Sequence, residues 1–189
     1  DSQFTSDMRS APVKRIEDVI DLRGRQFTED QGPLAHPVRP ESFQEINNFY
    51  TATVYEKGAE VIGMLKTLVG EDAYYKAVEL YFDRHDGDAA TIEDWLKVFE
   101  DTTGRDLTQF KRWYTQAGTP HLTVTEEWVN GKYNLHFKQE TKPTPGQPDK
   151  QPLVIPIAVG LLAHDGTEIV PTTLLEMTEA EQTFSFDGL

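Results

Sequence analysis

Trp113-Tyr114-Thr115-Gln116-Ala117-Gly118-Thr119-Pro120 is the stretch at which the chain changes its period. Before it, apolar residues recur every three or four positions; after it they alternate every second position. The first spacing lines one face of a helix and the second lines one face of a strand. Gly118 and Pro120 suit the changeover, since glycine closes helices and proline cannot continue one. The fold class is therefore α+β, with helices over 1–118 and a small all-β module, read as a sandwich, over 119–189.

Working back from the junction, Asp106 opens a short helix carrying Phe110 and Trp113. Thr91-Ile92-Glu93-Asp94 is a capping box, a threonine with an acid three residues on, and Trp95, Leu96 and Phe99 form the core side of its helix up to Gly104. Ala73, Ala77, Leu80 and Tyr81 predict another helix, closed by Asp86-Gly87-Asp88. Thr51 to Leu68 reads as the strongest helix, with Val54, Val61, Leu65 and Leu68 on one stripe. Upstream lie a proline-containing loop, Glu29 to Glu41, and a helix announced by Ser10 and Pro12 with Val13, Ile16 and Ile20 at helical spacing.

Working forward, Leu122 and Val124 alternate with threonines, and Asn130-Gly131 is a dipeptide favoured in tight hairpins. Tyr133, Leu135 and Phe137 alternate on the returning strand. Thr141 to Pro152 is a proline-rich loop, and Leu153 to Leu162, Glu168 to Val170 and Gln182 to Phe186 are further strands.

The composition is that of an ordinary globular protein: 38% hydrophobic and 26% charged over 189 residues. Net charge is -14, with 14 basic against 22 acidic residues up to Gly118 and 4 against 10 beyond it. Neither half carries the basic face that nucleic acid demands, so no nucleic-acid partner is expected. The absence of cysteine excludes disulfides, thiolate metal sites and cysteine nucleophiles, and fits a reducing compartment. No apolar run approaches the roughly 18 residues of a membrane span, so no membrane partner is expected either.

Local chemistry is sparse. The five histidines, His36, His85, His121, His136 and His164, include no pair at the i, i+4 spacing that presents two imidazoles to zinc. His85-Asp86-Gly87-Asp88 reads as a structural turn rather than a metal site, because Asp and Gly are turn residues. His36 reads first as a hydrogen-bonded loop residue. Thr53-Val54-Tyr55-Glu56-Lys57-Gly58-Ala59-Glu60 is less bland: a glycine inside a helix costs about 1 kcal/mol relative to alanine, so Gly58 needs a reason, either close packing or function.

Three motifs together carry a resemblance. Asn47-Asn48-Phe49-Tyr50-Thr51-Ala52-Thr53-Val54-Tyr55-Glu56-Lys57-Gly58 resembles the catalytic-tyrosine helix of the bacterial aminopeptidase N family of zinc metallopeptidases. His36-Pro37-Val38-Arg39-Pro40 is similar to that family's preceding loop, and residues 113–120 to its W-x-x-Q-x-G-x-P junction. The resemblance runs along essentially the whole chain, including Ala180-Glu181-Gln182-Thr183-Phe184.

It implies that 1–118 corresponds to the helical C-terminal part of a thermolysin-like catalytic domain and that 119–189 corresponds to most of the β-sandwich following it. It also implies Tyr55 as the donor to the oxyanion formed when a peptide carbonyl is attacked. A phenol, with an ordinary pKa near 10, is protonated at neutral pH and can donate. Glu56 and Lys57 are implied as supporting residues, since adjacent helix positions diverge around the axis. The family's zinc motif, H-E-x-x-H, and its exopeptidase motif, G-x-M-E-N, do not occur in this sequence. The resemblance thus implies zinc in a longer parent protein and none in this chain. The expected partners are peptide substrates, the rest of the catalytic domain and a C-terminal helical domain, in the cytoplasm. The isolated chain is expected to be inactive and, with apolar surface uncovered, to self-associate. A non-catalytic binding or scaffold module with the same fold is the alternative.

Overall fold

The computed structural model describes residues 2–188; Asp1 and Leu189, the outer ends of the two expected segments, lie outside the described residues. The chain divides into two compact units: residues up to Thr119 together with Pro143–Asp149, and Pro120–Lys142 together with the residues from Lys150 onward.

The first unit is helical. Its elements are α1 (Ser2–Met8), α2 (Ala11–Asp21), α3 (Phe27–Asp30), α4 (Gly58–Val69), α5 (Glu71–His85), α6 (Ile92–Thr103) and α7 (Arg112–Thr115). Two π-helical turns interrupt this pattern, Leu22–Gln26 between α2 and α3 and Thr53–Lys57 leading into α4. The expected stripe holds for Val61, Leu65 and Leu68, which are buried, but Val54 is only half-buried and Thr53 takes the inward position. The wider π-turn shifts the phase that a straight 3.6-residue repeat assigns. Residues 108–111 form a turn, and the last helix is only the four residues of α7.

Local signals were otherwise followed. The Thr91 hydroxyl accepts from the Asp94 N–H at 3.2 Å, and the Asp94 carboxylate accepts from the Thr91 N–H at 2.8 Å, so both halves of the capping box form. Gly104 closes α6 in the left-handed region at φ 70°. The His85–Asp88 stretch is a turn, with the Asp88 N–H donating to the His85 carbonyl at 3.0 Å. On α1 and α2, by contrast, Phe4, Met8, Val13, Ile16 and Ile20 are all exposed, an apolar surface with no cover in this unit.

The second unit holds two antiparallel sheets, one ordered β1 (Pro120–Val129), β2 (Lys132–Thr141), β5 (Glu181–Asp187) and the other pairing β3 (Ile155–Leu162) with β4 (Glu168–Met177). Asn130 and Gly131 connect β1 to β2 with φ of 53° and 76°, the two positive values a type I′ hairpin requires. Leu135 and Phe137 from one sheet and Met177 from the other form a shared core, joined by Ile155, Ile157, Phe184 and Phe186, so the sheets face each other as a sandwich. The alternation in β1 is real but points outward: Leu122 and Val124 are exposed. Gln139 is the buried polar residue among the described residues of this unit; its amide nitrogen donates to the Leu153 and Glu179 carbonyls, each at 2.9 Å, and its oxygen accepts from the Leu153 N–H at 2.8 Å.

Candidate functional site

The π-turn Thr53–Lys57 sends successive side chains in different directions. Thr53 and Lys57 are buried, Glu56 is partly covered, and Tyr55 is 58% exposed. The phenol ring of Tyr55 stacks on Tyr50, with centroids 6.3 Å apart and planes 30° from parallel. Turns of this kind are rare and recur at functional positions because the extra residue re-aims the side chains around it.

The turn is held at its start from two sides. The Thr53 N–H donates to the Glu29 carboxylate at 2.8 Å, and the Gln26 amide donates to the Thr53 hydroxyl at 3.3 Å. Gln26 ends the other π-turn, so the two irregular turns are bonded to each other. Just upstream, the Thr51 hydroxyl accepts from the Val54 N–H at 3.2 Å and lies 2.8 Å from Nε2 of His36, whose Nδ1 is 2.9 Å from the Leu34 carbonyl. His36 is thus a loop residue bonded through both ring nitrogens, and it braces the residue that caps the turn.

The end of the turn is held by a charge. Lys57 Nζ donates to Asp30 Oδ2 at 2.7 Å and to the Gly118 carbonyl at 3.0 Å. Asp30 also accepts from the Gly118 N–H at 3.2 Å and from the Thr119 hydroxyl at 2.9 Å. Both side chains of the ion pair are buried, Lys57 at 7% exposure and Asp30 at 0%. Burial of Asp30 opposes its ionised form, but the Lys57 charge and hydrogen bonds from Lys57, Gln26 and Thr119 outweigh that, and the carboxyl lies below the usual range. Gly118 is buried with φ at 93°, a conformation that favours glycine, and both its backbone polar groups are used here.

Glu56 lies on the solvent side of this network. One carboxylate oxygen is 3.6 Å from Arg25, while the other is buried and accepts no hydrogen bond from the described residues. Gly58 starts α4 beside Val38; an added Cβ would meet Val38 Cγ1 at 3.5 Å, an ordinary contact. The backbone there has right-handed helical angles, so neither close approach nor a special conformation explains this glycine.

Of the three residues singled out by sequence, the structure places Tyr55 outward, Glu56 at the edge and Lys57 inward. Nothing in the sequence pattern points to Asp30 or Gln26, and Thr53 and Thr119 stand in motif stretches without a role of their own; Asp30 stands 27 positions from Lys57 and 88 from Gly118, beyond the reach of any periodicity. Among the described residues no three of His, Cys, Asp and Glu are grouped as metal ligands, and no helix is long and apolar enough to cross a membrane.

Residues 3–114 match the peptidase family M1 domain, and residues 118–189 match a domain of unknown function with an Ig-like fold. Aminopeptidase N of Escherichia coli (strain K12) is 47% identical over the whole of this chain, which covers 23% of that protein. Aminopeptidase N of Caulobacter vibrioides is 52% identical, again over the whole chain and 22% of the relative. The chain therefore spans under a quarter of the length of these relatives. Among solved structures, Legionella pneumophila aminopeptidase A in complex with aspartic acid superposes with a TM-score of 0.71 at 30% identity, covering 93% of this chain and 21% of that one.

Proposed function

The chain belongs to peptidase family M1, and from that premise we propose that it is part of a zinc aminopeptidase that removes N-terminal residues from peptides, to which it contributes Tyr55 as the oxyanion donor. The observation that carries this reading is the anchoring pattern around Tyr55. Thr53 and Lys57, on either side of it in one π-turn, are buried and bonded, while the phenol stands 58% exposed. A donor presented to solvent from a fixed backbone is what stabilisation of a developing oxyanion requires, because such a donor needs no reorganisation when charge appears.

Zinc would supply the polarisation of the scissile carbonyl and an activated water. Among the described residues of this chain no three potential ligands converge to hold such an ion. What this chain supplies is a phenol O–H aimed at the carbonyl oxygen as that oxygen gains negative charge. Removing one such donor typically lowers the rate by about 10²–10³. The β-sandwich, in this reading, is a packing platform between catalytic and further domains. The division of labour falls near Gly118, and the protein works in the cytoplasm.

The reading is tested by assaying hydrolysis of an alanine chromogenic amide in parallel, by this chain with and without added zinc and by the longer protein that contains it. Turnover by the longer protein alone is expected. An inactive longer protein, with Tyr55 intact, would favour a scaffold module instead.

A further inference from the structure

We propose that Lys57 and Asp30 are positioning residues for Tyr55: their buried ion pair fixes the Thr53–Lys57 turn against the Gly118–Thr119 backbone and thereby sets where the phenol stands. This inference rests on the reading of Tyr55 as the oxyanion donor.

Lys57 lies two residues beyond Tyr55 in the same π-turn, so displacement of its stem displaces the backbone that carries the phenol. Its ammonium is tied to two acceptors, Asp30 at 2.7 Å and the Gly118 carbonyl at 3.0 Å. Asp30 in turn gathers three donors from two separated stretches: Lys57, and the adjacent Gly118 N–H at 3.2 Å and Thr119 hydroxyl at 2.9 Å. The other end of the turn is bonded to Gln26 and Glu29 through Thr53. Tyr55, between the two anchors, is steadied by its stacking on Tyr50.

Energetics favour a positional role over a purely stabilising one. A buried ion pair contributes little net stability compared with apolar residues of the same shape, because desolvation offsets the attraction. What the pair does provide is direction: a charge-assisted contact fixes a distance more narrowly than apolar packing does. Oxyanion donation is sensitive to that distance, and a displacement of about 1 Å can lower the rate by about 10²-fold.

The test is steady-state hydrolysis of an alanine amide by the longer protein containing this chain, with Lys57→Met, Asp30→Asn and Tyr55→Phe made singly and each pair variant combined with Tyr55→Phe. Lys57→Met and Asp30→Asn are expected to lower kcat by about 10- to 100-fold with KM changed by less than about threefold. In the Tyr55→Phe background the same changes are expected to lower kcat by less than about threefold further, because the group they position is gone. Undiminished losses in that background, or unaltered kcat in either folded single variant, would overturn the proposal. If Lys57→Met does not fold, Asp30→Asn, which keeps the shape and one of the two acceptor oxygens, carries the same comparison. Failure of both to fold would assign the pair to folding alone and also overturn it. An unaltered kcat in Tyr55→Phe itself would remove the underlying reading of the donor, a result separable from any behaviour of Lys57 or Asp30.

Discussion

At the centre of the helical unit, alongside an apolar core that includes Leu65, Phe99 and Phe110, sit Gln26, Asp30, Thr53 and Lys57. The β unit packs Leu135, Phe137 and Met177 together and, among the described residues, buries one amide, Gln139. In the β unit the polar group is spent on backbone atoms of the strands and loops it touches, which closes the sandwich and directs nothing outward. In the helical unit the buried polar groups converge on a five-residue turn whose middle residue faces solvent. Apolar packing holds a shape; a charge and several aimed hydrogen bonds hold a residue in one place. The difference locates where position matters in this molecule.

The contrast is broken most severely at Lys57. Lys57→Met leaves Asp30 charged and unpaired inside the unit, and denaturant unfolding should show a loss of about 3–5 kcal/mol; a loss below 1 kcal/mol would mean the pair is not dry. The β unit's counterpart is Met177→Ala, which removes fully buried volume and should cost about 2–5 kcal/mol through lost transfer energy and a cavity. That loss should be insensitive to pH, whereas the charged centre should not be. Because the Asp30 carboxyl is depressed in the folded state, its contribution is present in full above the ordinary value of about 3.9 and is lost as pH falls through the lower folded value. Urea unfolding followed from pH 6 down to pH 2 should therefore show a steeper decline in the wild type than in Asp30→Asn.

Two glycines sharpen the comparison further. Gly118→Ala forces a side chain into a buried residue at φ 93° and should cost about 1–3 kcal/mol. Gly58→Ala meets only Val38 at ordinary contact distance in a helical backbone, and its melting temperature should match the wild type or rise, by up to about 1 kcal/mol of stability. The sequence pattern alone made Gly58 the conspicuous glycine and Gly118 a helix stop; the backbone reverses that order.

What was legible in the sequence was local. The change of period across residues 113–120, the Thr91–Asp94 capping box and the Asn130–Gly131 hairpin each involve neighbours within a few positions, and each formed. Periodicity also identified apolar faces on α2 and β1, yet it could not say what covers them, and both are exposed. The π-turns escaped because they break the 3.6-residue rule by which helices are read, which is why Val54 was assigned to a stripe it leaves. The Asp30–Lys57 pair escaped because contact between distant residues leaves no trace in spacing. Tyr55, Glu56 and Lys57 were singled out by resemblance, and their different directions became visible only with coordinates.

The central claim is that Tyr55 donates to the oxyanion, and Tyr55→Phe in the longer protein tests it directly. The substitution removes one hydroxyl from a largely exposed ring, so the melting temperature should stay within about 1 °C of the wild type. In this variant kcat for an alanine amide should fall by about 10²–10³, equivalent to about 2.7–4 kcal/mol. A kcat within about twofold of the wild type, in a protein that melts normally, would contradict it.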